Sequence, residues 1–377
     1  MTASQKTYRP ELDALRWYAA LGVYAYHTMP REAVFYSAHH IPAALSFILA
    51  SLVKGGAYGV DIFFVLSAYL ITGLLRQEQS STGSVHVGKF YMRRICRIWP
   101  LYFLVLAISL LVTVFDSQQN LTWKQAAIFA LFSGNWIFAF NPDLIYSIAN
   151  PLWSISVEEQ FYLAWPWVVK RLSIRHAIIV MLLVSWTTRI LLVISGVHFG
   201  VWNNTLAHLD PIALGALLSI WLNGKLPILR TPTRVLLFAA GILAIGIGGA
   251  LPVSEFPASP WVLLLYPLIS IGGSLIVFAS LNWGAWVLNN KTVVYLGGIS
   301  YGIYVFHRPC LWFLKHVYFG AHKNSLGDVV LYWSCGLALT LCVAALSKRF
   351  FESPFIRMKE HFTPAASPLQ ELPVEVG

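Results

Sequence analysis

One apolar segment near the start of the chain carries three ionisable side chains at helical spacing. Asp13 and Arg16 are three residues apart, so they can form an ion pair along one turn of a helix. His27 follows Arg16 by eleven residues, which is about three turns and roughly 16 Å along a helix axis, so both lie on one face. A histidine can take a hydroxyl proton near neutral pH, helped by a nearby carboxylate. The spacing makes these residues candidates for acid–base catalysis, and a helix-anchoring ion pair with an interfacial histidine is the alternative.

A compact group of three arginines lies at the start of another apolar segment, in the sequence YMRRICRIWPLYF. Arg93, Arg94 and Arg97 carry guanidinium groups, whose forked geometry suits phosphate oxygens. The group could therefore bind a donor that bears several phosphates, such as a coenzyme A thioester. A signal for orientation in the membrane, or contact with lipid headgroups, is the alternative.

Further polar side chains lie in or beside apolar segments. An ionisable side chain inside a membrane is costly, so it is a functional candidate by default. Hydrogen bonds that pack one helix on another are the alternative, above all for the serine. These residues are Asp61, Ser67, Glu158, Asp210, Tyr301 and His307.

The composition indicates a membrane protein. Apolar residues make up 57% of the chain and charged residues only 11%, against roughly 25% charged in soluble proteins. The formal net charge of +10 is explained by basic loops on one side of a membrane, so no nucleic acid partner is expected. The four cysteines lack the spacing of a metal site or a disulfide framework, and the N-terminal segment lacks the features of a cleavable signal peptide.

Ten apolar segments are predicted to cross the membrane as helices. An eleventh, 125–140, is only 16 residues long and is predicted to re-enter or to lie at the interface. With that assignment, 18 of the 26 lysines and arginines lie on one side and 4 on the other, so both termini are predicted to be cytoplasmic. The ten spans are 12–29, 57–76, 98–115, 152–170, 177–195, 206–223, 234–251, 260–281, 293–318 and 328–347.

The expected fold class is therefore all-α, a polytopic protein of the cell (inner or cytoplasmic) membrane with about ten transmembrane helices. Residues 1–352 are predicted to form a single transmembrane domain. Residues 353–377 end in TPAASPLQELPVEVG and are predicted to be a disordered cytoplasmic tail.

Five segments of the chain, taken together and in order, resemble the acyltransferase-3 family of bacterial membrane O-acyltransferases, which includes polysaccharide and lipopolysaccharide O-acetylases. The resemblance implies ten helices, an acyl-CoA donor and a catalytic histidine, here His27, with Arg16 eleven residues before it. It also implies donor binding by the arginine motif and a role for Glu158. The matching segments are RPELDALRWYAALGVYAYH, GVDIFFVLSAYLIT, FYMRRICRIWPLYF, LWSISVEEQFYLAWP and LGGISYGIYVFHRP.

The function expected from these observations is transfer of an acyl group, taken to be acetyl, from cytoplasmic acyl-CoA to a hydroxyl of an extracytoplasmic glycan or glycolipid. The protein would contact membrane lipids, and no metal or permanently bound cofactor is expected. A secondary transporter of a small anionic substrate is the alternative from another class. The assignment is catalysis by His27, Arg16, Glu158 and Asp13, donor binding by Arg93, Arg94, Arg97 and Ser67, and acceptor contact by Asp61, Asp210, Tyr301 and His307.

Overall fold

The computed structural model describes residues 8–140, 147–196, 200–251, 258–319 and 325–362, and these residues form helices joined by short connections without a β-strand. The all-α prediction is confirmed. The helices are α1 (Pro10–Thr28), α2 (Ala33–Ala38), α3 (Ala43–Gly55), α4 (Gly59–Thr82), α5 (Val87–Phe115), α6 (Trp123–Ala130), α7 (Gly134–Phe140), α8 (Leu152–Arg171), α9 (Ile174–Ser195), α10 (Asp210–Leu222), α11 (Thr231–Ala250), α12 (Val262–Ser280), α13 (Trp286–Asn289), α14 (Lys291–Gly298), α15 (Ser300–Leu314), α16 (Leu326–Ser347) and α17 (Ser353–Glu360).

Within the described ranges, six helical segments are long and apolar enough to cross a membrane, as expected of a multi-pass membrane protein. They are Ala43–Thr82, Val87–Phe115, Ile174–Ser195, Thr231–Ala250, Val262–Ser280 and Leu326–Met358. The other predicted spans are also helical, but they carry several charges, as α1 and α8 do, or are short, as is the 13-residue α10. The total of ten spans and the orientation of the termini therefore stay predictions.

Three local features differ from the simplest reading of the apolar pattern. Segment 125–140 is split into α6 and α7 at Phe132, which has φ of 52°, and neither helix is long enough to span. Predicted span 293–318 is interrupted at Ile299, between α14 and α15. Helix α3 was not predicted, and it continues through a short 3₁₀ turn at Gly56–Tyr58 into α4.

Helix α1 lies at the centre of the bundle and packs against α4, α14 and α15. Its contact with α14 depends on a glycine, because a Cβ atom at Gly297 would stand 1.8 Å from the backbone oxygen of Asp13. The two backbones therefore touch one turn before Arg16. This close approach fixes the position of α1 along its axis relative to α14. It therefore also fixes the positions of the polar side chains of α1.

Replacing Gly297 with alanine is expected to destabilise the fold by about 1–3 kcal/mol, since the added methyl group must push α14 away from α1. Thermal unfolding of the purified protein in detergent measures the loss. Gly298→Ala is the matched control, because a Cβ atom there would meet nothing within 4 Å. Equal midpoints of thermal unfolding for the two variants would show that the close contact at Gly297 does not contribute to stability.

The C-terminal segment stays helical beyond the boundary predicted at residue 352. A π-helical turn at Lys348–Glu352 leads into α17, which packs on α5. The backbone oxygen of Phe362 accepts a 2.9 Å hydrogen bond from Arg93. Residues 353–360 thus belong to the packed domain, and the rest of the predicted tail, 363–377, lies outside the described residues.

Candidate active site

One cavity of about 1060 Å³, here called the basic cavity, opens among the helices. It lies between the N-terminal part of α1, the C-terminal part of α4 and the segment 348–356. Its charged walls carry five cations and two carboxylates, so the cavity has an excess of positive charge. These residues are Arg9, Arg16, Arg76, Arg97, Lys348, Asp13 and Glu352.

A narrower space of about 180 Å³, here called the inner chamber, adjoins the basic cavity. The two share parts of their walls, among them Arg16, Arg97 and Tyr301. From this junction the inner chamber extends past Glu158 to Tyr304. Polar side chains therefore line a route from the basic cavity into the centre of the helical bundle.

Arg16 lies where the basic cavity and the inner chamber meet. Its Nη1 donates to Oδ1 of Asp13 at 2.6 Å, which is the i, i+3 pairing that the spacing predicts. Both side chains are partly exposed to the cavities, so the ion pair could exchange its partners with a bound anion. Tyr301, at the same junction, donates its hydroxyl hydrogen to the Ile98 carbonyl at 2.8 Å.

Glu158 is held in the wall of the inner chamber by hydroxyl groups from two helices. Its Oε1 accepts hydrogen bonds from Ser67 of α4 and from Tyr162 of α8, the latter at 2.6 Å. The guanidinium of Arg94 lies over the Tyr162 ring, 5.7 Å from its centre. Ser67, predicted to bind the donor, thus contacts Glu158 and lines the inner chamber with it.

His27 and His307 form a pair beyond the end of the inner chamber. Nδ1 of His27 lies 3.2 Å from Nε2 of His307, and the ring centres are 5.0 Å apart. His307 Nδ1 lies 2.5 Å from the backbone oxygen of Tyr304. The Tyr304 hydroxyl in turn lies 2.6 Å from Oγ of Ser154, and both of these residues line the inner chamber. Tyr304 therefore links the wall of the inner chamber to the histidine pair.

The three arginines of the basic motif point to different surroundings. Arg94 and Arg97 line the inner chamber, and Arg97 also lines the basic cavity. Arg93 lines neither space: its Nη2 donates to Glu78 at 2.9 Å and its Nη1 to the Phe362 carbonyl. Arg94 and Arg97 therefore lie with the candidate residues of the inner chamber, and Arg93 does not.

Asp61 and Asp210 are buried away from both spaces. Asp61 Oδ1 lies 2.8 Å from Nε2 of His208, which joins α4 to the segment before α10. Asp210 forms a buried ion pair with Arg189 and accepts a 2.8 Å hydrogen bond from Ser185, which joins α10 to α9. Neither aspartate lies with the other predicted acceptor residues, Tyr301 and His307.

Several residues of the route were not singled out from the sequence. Ser154 and Tyr304 lie in motifs that were, and Tyr304 follows Tyr301 by three residues, so helical spacing alone could have indicated it. Lys348 and Glu352 are different, because they reach the basic cavity only when the chain after α16 returns to the bundle. The local sequence around these two residues does not predict this path of the chain.

Side chains suited to proton transfer, placed beside internal cavities in a helical membrane protein, fit a membrane-embedded group-transfer enzyme. The chain belongs to one family of that kind, described as acyltransferase domain, which matches residues 9–349. This match confirms the resemblance drawn from the five motifs.

The chain is similar to curated proteins over nearly its whole length. It is 29% identical to the peptidoglycan O-acetyltransferase OatA of Listeria monocytogenes, over 94% of this chain and 56% of that protein. It is 28% identical to the O-acetyltransferase OatA of Staphylococcus aureus, over 93% of this chain and 58% of that protein. The chain thus spans a little over half the length of these relatives. No solved structure matches it.

Proposed function

We propose that this protein transfers an acetyl group from cytoplasmic acetyl-CoA to a hydroxyl group of an extracytoplasmic glycan, with peptidoglycan as the first acceptor to test. The observation that carries the proposal is that the basic cavity adjoins the inner chamber, whose wall residue Tyr304 is hydrogen-bonded through its backbone oxygen to the His27–His307 pair. The names of the similar proteins support an O-acetyl product and a sugar acceptor. Membership of an acyltransferase family favours acyl transfer over the secondary transport that the sequence left open.

The basic cavity suits the nucleotide end of the donor. Its volume of about 1060 Å³ is at the upper end of the range of roughly 300–1,000 Å³ typical of ligand pockets. Arg9, Arg76, Arg97 and Lys348 supply positive charge for the phosphates of coenzyme A. The inner chamber is narrower and partly apolar, with Phe63 and Phe64 in its wall, as the pantetheine arm requires. The thioester would then approach the histidine pair while the nucleotide stays in the basic cavity.

The reaction follows from this arrangement. His27 takes the proton of the acceptor hydroxyl, and the hydroxyl oxygen attacks the carbonyl carbon of the thioester. The C–S bond breaks as the new C–O bond is completed, and the sulfur receives the proton from His27. The products are an acetyl ester and free coenzyme A. Arg16, Glu158 and Tyr301 line the inner chamber on the donor side, where they would orient the thioester.

The proposal predicts that donor and acceptor act from opposite sides of the membrane. Protein of known orientation in sealed vesicles is given acetyl-CoA on one side and soluble peptidoglycan fragments on the other. We expect acetylated fragments only when acetyl-CoA is on the side of the N-terminal end of α5, which carries Arg93, because positive charge predicts that end to be cytoplasmic.

His27→Ala protein in the same vesicles is the control for leakage and for spontaneous acetylation. Transfer that requires both substrates on the same side would contradict the two-sided arrangement. Hydrolysis of acetyl-CoA without acetylated fragments would instead point to a different acceptor.

A further inference from the structure

The hydrogen bonds of His307 determine which of its ring nitrogens carries a proton. His307 is 1% exposed, and its Nδ1 lies 2.5 Å from the backbone oxygen of Tyr304. Because a carbonyl oxygen can only accept, Nδ1 must be the donor. A neutral imidazole has a single N–H, so Nε2 of His307 carries a lone pair and is an acceptor.

The same reasoning then fixes the state of His27. Its Nδ1 lies 3.2 Å from Nε2 of His307, and since that atom accepts, Nδ1 of His27 donates. Neutral His27 therefore carries its proton on Nδ1, and its Nε2 holds a free lone pair.

We propose that His307 is a positioning residue for His27. By accepting the Nδ1–H hydrogen bond, it selects the tautomer and the ring orientation in which Nε2 of His27 can take the proton of the acceptor hydroxyl. The proposal deepens the acyl transfer proposed above and rests on it. It differs from acceptor contact, the role expected for His307 from the sequence, because the buried His307 would act through its hydrogen bond to His27.

The surroundings of His307 are rigid enough for this task. The residue is on α15, and its ring packs against Tyr24 of α1, with centres 6.5 Å apart, and against Tyr304, at 5.9 Å. The Tyr304 hydroxyl is anchored by Ser154 and by the Pro151 carbonyl, the latter at 3.2 Å. Three helices thus fix the position of Nε2 to which His27 donates.

A neutral partner also suits the location. In the described part of the chain, the His27 ring is hydrogen-bonded to a histidine and not to a carboxylate. A carboxylate here would be costly to bury before any reaction took place. An imidazole acceptor orients His27 without adding a charge to the resting site.

Two substitutions separate positioning from packing. His307→Gln retains an acceptor, because the glutamine carbonyl oxygen can reach roughly the place of Nε2, whereas His307→Leu fills space without an acceptor. We expect His307→Leu to lower kcat for acetyl transfer to soluble peptidoglycan fragments by about tenfold or more, with the KM for acetyl-CoA unchanged, since loss of the correct tautomer is costly in other histidine bases. His307→Gln should stay within about threefold of the wild type because it can still accept. His176→Leu, at an exposed histidine early in α9, is the control.

Nitrogen NMR of histidine-labelled protein in lipid bilayers tests the tautomer directly, with the His27 signals identified by their loss in His27→Gln. We expect the Nδ1–H form in the wild type and in His307→Gln, and its loss in His307→Leu. An Nε2–H form in the wild type, or equal loss of kcat in both His307 variants, would overturn the proposal. The spectrum does not depend on turnover, so a wild-type protein with the expected tautomer and no acetyl transfer would refute the proposed function while supporting the His307–His27 hydrogen bond.

Discussion

Replacing His27 with alanine is expected to reduce acetyl transfer by about a hundredfold or more and to leave the affinity for acetyl-CoA within about twofold of the wild-type value. General base catalysis by a positioned side chain contributes roughly 10²–10⁴ in rate, and alanine removes all of it. Donor affinity should persist because His27 lies beyond the inner chamber and contributes to neither cavity wall. Product formation from acetyl-CoA and soluble peptidoglycan fragments gives the rate, and equilibrium binding of acetyl-CoA gives the affinity.

His176→Ala is the matched control, since it removes an exposed histidine and leaves the route intact. A correctly inserted His27→Ala protein with near-normal transfer would remove His27 from the chemistry. Loss of donor affinity together with activity would instead mean that His27 supports the shape of the donor site. The two measurements therefore separate a base from a packing residue.

The features that the sequence predicted correctly are the local ones. The pairing of Asp13 with Arg16 follows from helical spacing, and the structure contains it at 2.6 Å. Most helices cover the predicted apolar segments, because an apolar run of that length has few alternatives in a membrane, although α4 and α5 extend well beyond them. The split of 125–140 into two short helices fits the non-spanning role predicted for it.

The partners of buried charges could not be predicted in the same way. Asp61 and Asp210 stand out in apolar sequence, yet each forms an ion pair or hydrogen bond with a residue from another helical segment, namely His208 and Arg189. Such pairs depend on which helices become neighbours, and the spacing of residues along one helix does not predict its neighbours. The same limit applies to His27, whose ring meets a histidine 280 residues away rather than the expected carboxylate.

The basic motif shows how one turn of helix can separate residues that look equivalent. Arg93 and Arg97 are four residues apart on α5, and the sequence assigned both to the donor. In the structure Arg97 faces the two cavities, whereas Arg93 binds Glu78, which is 7% exposed, and the C-terminal backbone. The difference arises because the end of the segment after α16, at Phe362, packs on the turn of α5 that carries Arg93, whereas Arg97 lies one turn further along the same face.

Replacing Arg97 with alanine is therefore expected to weaken acetyl-CoA binding by about tenfold to a hundredfold. A hydrogen bond to a charged group contributes about 1.5–3 kcal/mol, and each 1.4 kcal/mol is a factor of ten in affinity. Arg97 lines both the basic cavity and the inner chamber, so its guanidinium can reach a phosphate without further movement of the chain. Binding of acetyl-CoA is measured at increasing salt, and the difference between variant and wild type should shrink as ions screen the contact.

Arg93→Ala and Arg175→Ala complete the comparison, because each removes the same charge as Arg97→Ala. Arg175 is exposed at the start of α9, so its loss should leave donor affinity unchanged. Arg93→Ala removes the arginine partner of the buried Glu78 and leaves it with His86 alone, which is expected to lower the midpoint of thermal unfolding more than it lowers affinity. Arg93→Ala could instead weaken acetyl-CoA binding as much as Arg97→Ala does while the midpoint of thermal unfolding stays constant. That result would place the donor phosphates beside Arg93, and the basic cavity would not be their site. Unchanged affinity for acetyl-CoA in the Arg97→Ala variant would show that Arg97 does not contact the donor phosphates.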